Sequence, residues 1–173
     1  MTPPRRLAGL SVLGLTLGWA TVRPSPARAE ALVGVDLRIA YGLAAGGGAG
    51  RGAVRATPLL ITATAALALS DAPRTYGYGG LTVETLDRTG VGGEGGLAMA
   101  MGPRTRVRAG ARVIAKPYTL YGATVGATWC WPMGAARPCL DLAGDVYIAG
   151  TDLPRGNAVA QVALGLGVAI DAP

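Results

Sequence analysis

Residues 106–113 read Arg106-Val107-Arg108-Ala109-Gly110-Ala111-Arg112-Val113. Val107, Ala109, Ala111 and Val113 share one parity. Arg106, Arg108, Gly110 and Arg112 share the other. Successive side chains of a strand point to opposite faces, so a period of two marks a strand with two unlike faces. Here one face is apolar and the other carries three guanidinium groups. Lys116-Pro117 ends the strand, because proline cannot donate to a ladder.

The same period recurs along the chain. Upstream, Val33, Val35, Leu37, Ile39 and Tyr41 oppose Gly34, Asp36, Arg38 and Ala40. The glycines from Gly42 to Gly52 predict a loop. A second strand is expected over 54–69, with Pro58 marking a bulge or a frayed start. Ser70-Asp71-Ala72-Pro73 is a turn signal. A third strand over 75–86 sets Leu81, Val83 and Thr85 against Thr82 and Glu84. A fourth sets Val91, Leu97, Met99 and Met101 against Glu94, Ala98 and Ala100. Downstream of the arginine strand, Tyr121, Ala123, Val125, Ala127 and Trp129 oppose Gly122, Thr124, Gly126 and Thr128. A seventh strand sets Leu140, Leu142, Val146 and Ile148 against Asp141, Ala143 and Asp145. Residues 151–156 predict a loop. The last strand sets Val162, Leu164, Leu166, Val168 and Ile170 against Gln161, Ala163, Gly165, Gly167 and Ala169. The expectation is an all-β fold with eight antiparallel strands of roughly ten residues, in up-and-down order.

Alternation does not say which face is inside. A soluble barrel turns its apolar face inward, and a membrane barrel turns it outward. Three features favour the second. The polar face is mostly Gly, Ala and Thr, which suits a narrow lumen. The apolar face is built without a single Phe, whereas soluble cores commonly pack large aromatics. The charges on the small-residue face nearly balance: Asp36, Glu84, Glu94, Asp141 and Asp145 against Arg38, Arg106, Arg108 and Arg112. Turned toward hydrocarbon, each arginine near the midplane would cost roughly 2–4 kcal/mol. Tyr41, Tyr121, Trp129 and Trp131 lie on the apolar face near strand ends, where interfacial belts form. Tyr76, Tyr78, Tyr118 and Tyr147 have the inner parity. They plug the barrel ends, or a bulge near Gly79-Gly80 shifts the count.

The N-terminus reads as an export signal. Arg5-Arg6 precede an apolar stretch from Leu7 to Val22, and Ala27-Arg28-Ala29 is a small-x-small cleavage site. Residues 1–29 are the expected signal peptide and 30–173 the barrel domain. Removing 29 of the 173 residues leaves 144. It also removes four of the 16 basic residues, leaving 12 against 10 acids, a net charge of +2. The pI near 9.9 is therefore partly a property of the leader and gives no ground for nucleic-acid binding. Charged residues make up 15% of the chain, against about 25% in ordinary soluble proteins. A weakly charged chain without a helix-length apolar run after the leader points to strands as the spanning elements.

Strand count, period and a charged inner face together make this chain similar to the eight-stranded outer-membrane barrels, the group containing the transmembrane domain of outer membrane protein A and its small relatives. The resemblance covers Val33 to Ile170 as architecture. It implies a monomer in the bacterial outer membrane, lipid as the surrounding partner and insertion by the barrel-assembly machinery. Such barrels usually end in an aromatic residue, and here the last strand closes with Val168-Ala169-Ile170.

Cys130 and Cys139 flank Trp131 to Pro138, and in an exported protein such a pair reads as a disulfide. The chain has no histidine, which removes Ser-His and Cys-His nucleophile pairs. Two cysteines without histidine make a poor metal site. The glycines from Gly42 to Gly52 lack the Gly-Lys-Ser/Thr ending of a phosphate loop. No catalytic residue, metal or cofactor is expected. The nine lumen charges read as a packing network. The functional expectation is a non-enzymatic envelope barrel with a structural or binding role. The alternative is a soluble periplasmic ligand-binding barrel with its apolar face inward.

Overall fold

The computed structural model describes residues 32–48, 51–71, 74–86, 89–151, 153 and 157–171. The expected leader 1–29, its cleavage point, Ala72-Pro73 and residues 154–156 lie outside the described residues.

The described chain is all strand and turn: β1 (Leu32–Gly48), β2 (Arg51–Ala56), β3 (Leu59–Asp71), β4 (Arg74–Thr85), β5 (Gly90–Ala100), β6 (Thr105–Lys116), β7 (Leu120–Cys130), β8 (Ala136–Gly150) and β9 (Ala158–Asp171). From β3 to β9 each strand pairs antiparallel with the next. β1 pairs with β3 on one side and with β9 on the other, from Gly34↔Asp171 to Gly47↔Ala158. That second ladder closes the sheet, so no edge remains around the eight-stranded wall.

β2 and β3 lie on the same side of β1 and form one path broken at Thr57-Pro58. Pro58 has no N–H to donate. Thr57 takes over: its N–H donates to the Gly42 carbonyl at 2.9 Å, and the Gly42 N–H donates to Thr57 Oγ1 at 2.8 Å.

Two expectations need correction, and one open alternative is decided. Residues 42–48 and 51–52 are strand, not loop. β1 runs on to Gly48, because β9 and β2 offer ladder partners on both sides and glycine keeps both backbone groups. The hairpin it makes with β2 continues past Leu59↔Thr85, the last pair between β3 and β4. The seventh expected strand begins at Ala136 rather than Leu140, paired with Ile170, which shortens the preceding connection to residues 131–135. No bulge occurs at Gly79-Gly80, where the pairs Ala65↔Gly79 and Thr64↔Gly80 are in sequence. Tyr76 and Tyr78 therefore keep their inner parity.

The register fixes the shape. Starting at Val35, cross-strand partners run through Ala65, Gly79, Gly95, Ala111, Ala123, Val146 and Ala160 and return to β1 at Ala45. One circuit thus climbs ten residues along β1. Ten rises of about 3.3 Å against eight spacings of about 4.8 Å tilt the strands by about 41° and set a Cα radius of roughly 8 Å. An interior that narrow is filled by side chains. The 11 residues of β7 then span roughly 25 Å along the axis.

Large apolar side chains point outward. Leu164 and Leu166 on β9 are 57% and 70% exposed, and Leu37, Leu97, Val125 and Leu142 are more than half exposed. Small and polar ones point inward: Thr62, Thr64, Thr82, Thr124, Ala143 and Ala163 are buried. At one end, Ile114, Leu120 and Tyr147 pack as a plug with Tyr118, Leu153 and Val159. At the other end, near Asp171, Cys130 and Cys139 pack with Ala169.

Cys130 and Cys139 are direct partners across β7 and β8 and are joined as a disulfide. The bridge closes a short loop at the barrel rim. In the chain-entropy model it stabilises by about 2–3 kcal/mol. The variant Cys130→Ala/Cys139→Ala is expected to keep its barrel, seen as unchanged far-ultraviolet circular dichroism, and to lose about 2–3 kcal/mol in urea unfolding. Loss of the strand signal in the folded variant would contradict a rim-only role.

Candidate functional site: an ion-paired lumen and its arginine-lined mouth

The centre of the barrel holds three arginines and three carboxylates. Arg38 comes from β1, Glu94 from β5, Arg108 and Arg112 from β6, and Asp141 and Asp145 from β8. All six are buried. Arg108 grips Asp141 with two parallel bonds, Nη1 to Oδ1 at 2.6 Å and Nη2 to Oδ2 at 2.9 Å. Arg112 donates to Asp145 at 2.6 Å and also to Glu94. Arg38 donates to Glu94 from the opposite wall and lies 3.8 Å from Asp141. The six groups form one neutral, connected cluster across four strands. Bidentate arginine–carboxylate pairing is among the stronger polar contacts available to a protein interior.

The backbone register explains the reach. Arg112 sits directly beside Glu94 on β5. To reach β8, the β6 arginines must cross β7. Arg108 is beside Gly126, and Arg112 is beside Gly122. A Cβ added at Gly126 would fall 2.5 Å from the Arg108 guanidinium carbon. Gly126 on β7 therefore opens the gap through which Arg108 crosses, whereas a Cβ at Gly122 would meet the Val146 carbonyl and the Tyr147 ring. Thr128 Oγ1 donates to Asp141 at 2.7 Å and accepts from Arg108 at 3.1 Å. Gln161, paired with Asp145 across β8 and β9, donates to its carboxylate at 2.8 Å.

The remaining expected lumen charges sit apart from this cluster. Glu84 on β4 is buried near the apolar plug, where it accepts a hydrogen bond from the Tyr118 hydroxyl. Asp36 on β1 accepts from Arg106 on β6 at 2.9 Å, and both are about a quarter exposed. This pair stands toward the end that carries the disulfide. There a cavity of about 340 Å³ is lined by Arg74, Arg104, Arg106 and Arg137, with Tyr76 and Asp171. The Arg106 guanidinium carbon lies 5.4 Å from the centre of the Tyr76 ring, a cation–π contact. Arg137 pairs with Asp171.

Strand parity in the sequence places Thr64, Thr128 and Gln161 on the inner face without naming them as partners. Arg74 and Arg104 carry no parity signal at the strand ends, and only closure of the sheet brings them to one mouth. Among the described residues, no group of three or more His, Cys, Asp or Glu side chains is placed to hold a metal ion.

No protein-family model, curated protein or solved structure matches the chain.

Removing one partner from a buried pair leaves the other charge uncompensated, at a cost of about 3–5 kcal/mol. Arg108→Met is expected to lose about that much in urea unfolding of the folded protein. Arg108→Met/Asp141→Asn is expected to lose less than the sum of the two single variants, because neither charge is left buried alone. Additive losses would show that the two residues contribute independently.

Proposed function

We propose that this chain is an outer-membrane β-barrel of a Gram-negative bacterium, with its apolar wall against acyl chains and its charges held inside. One observation carries the reading. Among the described residues, every Asp, Glu and Arg between the ends of the eight wall strands lies on the inner face, while the outer face is mainly Val, Leu, Ile, Met, Ala and Gly, with Tyr41, Tyr121 and Trp129. Soluble monomers rarely expose a contiguous apolar patch beyond a few hundred Å², and here the patch encircles the molecule. Hydrocarbon removes that cost, and closure removes the second obstacle, unpaired backbone groups in lipid.

Aromatic placement supports the same reading. Tyr121 and Trp129 on β7 are both about half exposed and eight residues apart. At the tilt derived above they stand roughly 20 Å apart along the axis. Apolar bands of outer-membrane barrels are about 25 Å tall and are flanked by aromatic girdles.

The role proposed is non-enzymatic, structural or binding, in the cell envelope. A filled interior of this radius leaves no wide aqueous path. Lipid is the surrounding partner, the assembly machinery acts during insertion, and the folded state is a monomer. The other reading, a soluble periplasmic ligand-binding barrel, needs its apolar residues inside, and Leu37, Leu97 and Leu142 are exposed.

Expression in a Gram-negative host followed by fractionation tests the proposal. The protein is expected in the outer membrane, extractable only with detergent. It is expected to migrate differently on gels before and after boiling. Recovery from the periplasm without detergent, with one mobility in both conditions, would overturn it.

A further inference from the structure

We infer that the arginine-lined mouth at the disulfide end of the barrel binds a dianionic phosphate-class group, the chemistry of a phosphate monoester or pyrophosphate. The inference goes beyond the proposed function and does not depend on what surrounds the outer wall.

The cavity of about 340 Å³ lies within the usual size range of small-ligand sites. Four arginines line it. Two of them are compensated: Arg106 by Asp36 and Arg137 by Asp171. Among the described side chains, neither Arg74 nor Arg104 is in an ion pair, and in the backbone register Asp71 on β3 stands opposite Arg74. The cavity lining thus carries four guanidinium groups and one carboxylate, that of Asp171, an excess of positive charge that an anion of the phosphate class would offset. The six central charges compensate one another, so they do not cancel this excess from below.

The lining is also held in place. Tyr76 stacks against Arg106 and fixes the position of that side chain. The disulfide ties the start of β8 to the end of β7, one residue from the Trp131 N–H that donates to Pro138, and so anchors the segment carrying Arg137. Arginine suits this task, because its planar fork matches phosphate oxygens in two-point contact. Such a site on a barrel end could take its phosphate from a soluble molecule or from a lipid headgroup at the rim.

The test uses the folded full-length barrel in a zwitterionic detergent, titrated with inorganic pyrophosphate at low ionic strength and followed by calorimetry. One saturable site is expected. Arg74→Gln/Arg104→Gln is expected to weaken it about tenfold or more. Both residues lie outside the central network, so the variant keeps the wild-type far-ultraviolet spectrum. Lys116→Gln, at the opposite end, is expected to leave the affinity unchanged. A second arm adds phosphatidic acid, whose headgroup is a phosphate monoester, to the micelles. Competition with pyrophosphate assigns the site to a lipid headgroup, and undiminished pyrophosphate binding assigns it to a soluble phosphate. The proposal is overturned by absence of saturable binding in both arms. It is equally overturned by binding that the Arg74/Arg104 variant retains in full.

Discussion

The neutral cluster of Arg38, Glu94, Arg108, Arg112, Asp141 and Asp145 is the constraint on which the rest of the barrel depends. Charges taken out of water are tolerated only with near-complete pairing and hydrogen bonding. A chain that buries six of them must bring β1, β5, β6 and β8 to one axis at a fixed height. A slip of one residue in any of these strands would turn its charges outward and its leucines inward. The cluster therefore specifies register as much as it contributes stability. Its demands spread to neighbouring strands: a gap at Gly126 for the crossing Arg108, a hydroxyl at Thr128 and an amide at Gln161.

The outer wall follows from the same division. With the charged positions committed to the inside, the alternate positions are free to be uniformly apolar. That accounts for a chain so poor in charge. It also accounts for the absence of Phe. If that wall faces fluid acyl chains, as proposed, it needs area and no interlocking shape, and Val, Leu and Ala supply it. The narrow radius explains the glycines and threonines on the inner face, where bulkier residues would compete with the guanidinium groups for space. Apolar packing of Ile114, Leu120 and Tyr147 closes one end, and the other remains open and cationic.

Most of the strand pattern was legible in the sequence, because period two is a local property and the strands keep it. The inner parity of the nine charged residues followed from the same count. Partners were not legible. Arg38 and Glu94 are 56 residues apart, and only the ten-residue climb of the closed sheet sets them face to face. The extension of β1 through Gly48 was read as a loop, since glycine gives no side-chain signal when tertiary ladders hold it straight. The mouth was invisible for a related reason. Arg74, Arg104 and Arg137 sit at the ends of different strands and meet only when the barrel closes.

The account turns on what Leu164 and Val107 touch. A nitroxide label at each position, in the protein folded into lipid vesicles, reports this directly through its collision rates with oxygen and with a water-soluble nickel chelate. High oxygen and low nickel accessibility at both sites is the predicted result, with labels at Thr124 and Ala143 inaccessible to both reagents. Nickel access at Leu164 and Val107, or a label immobilised there as in a packed protein core, would contradict it.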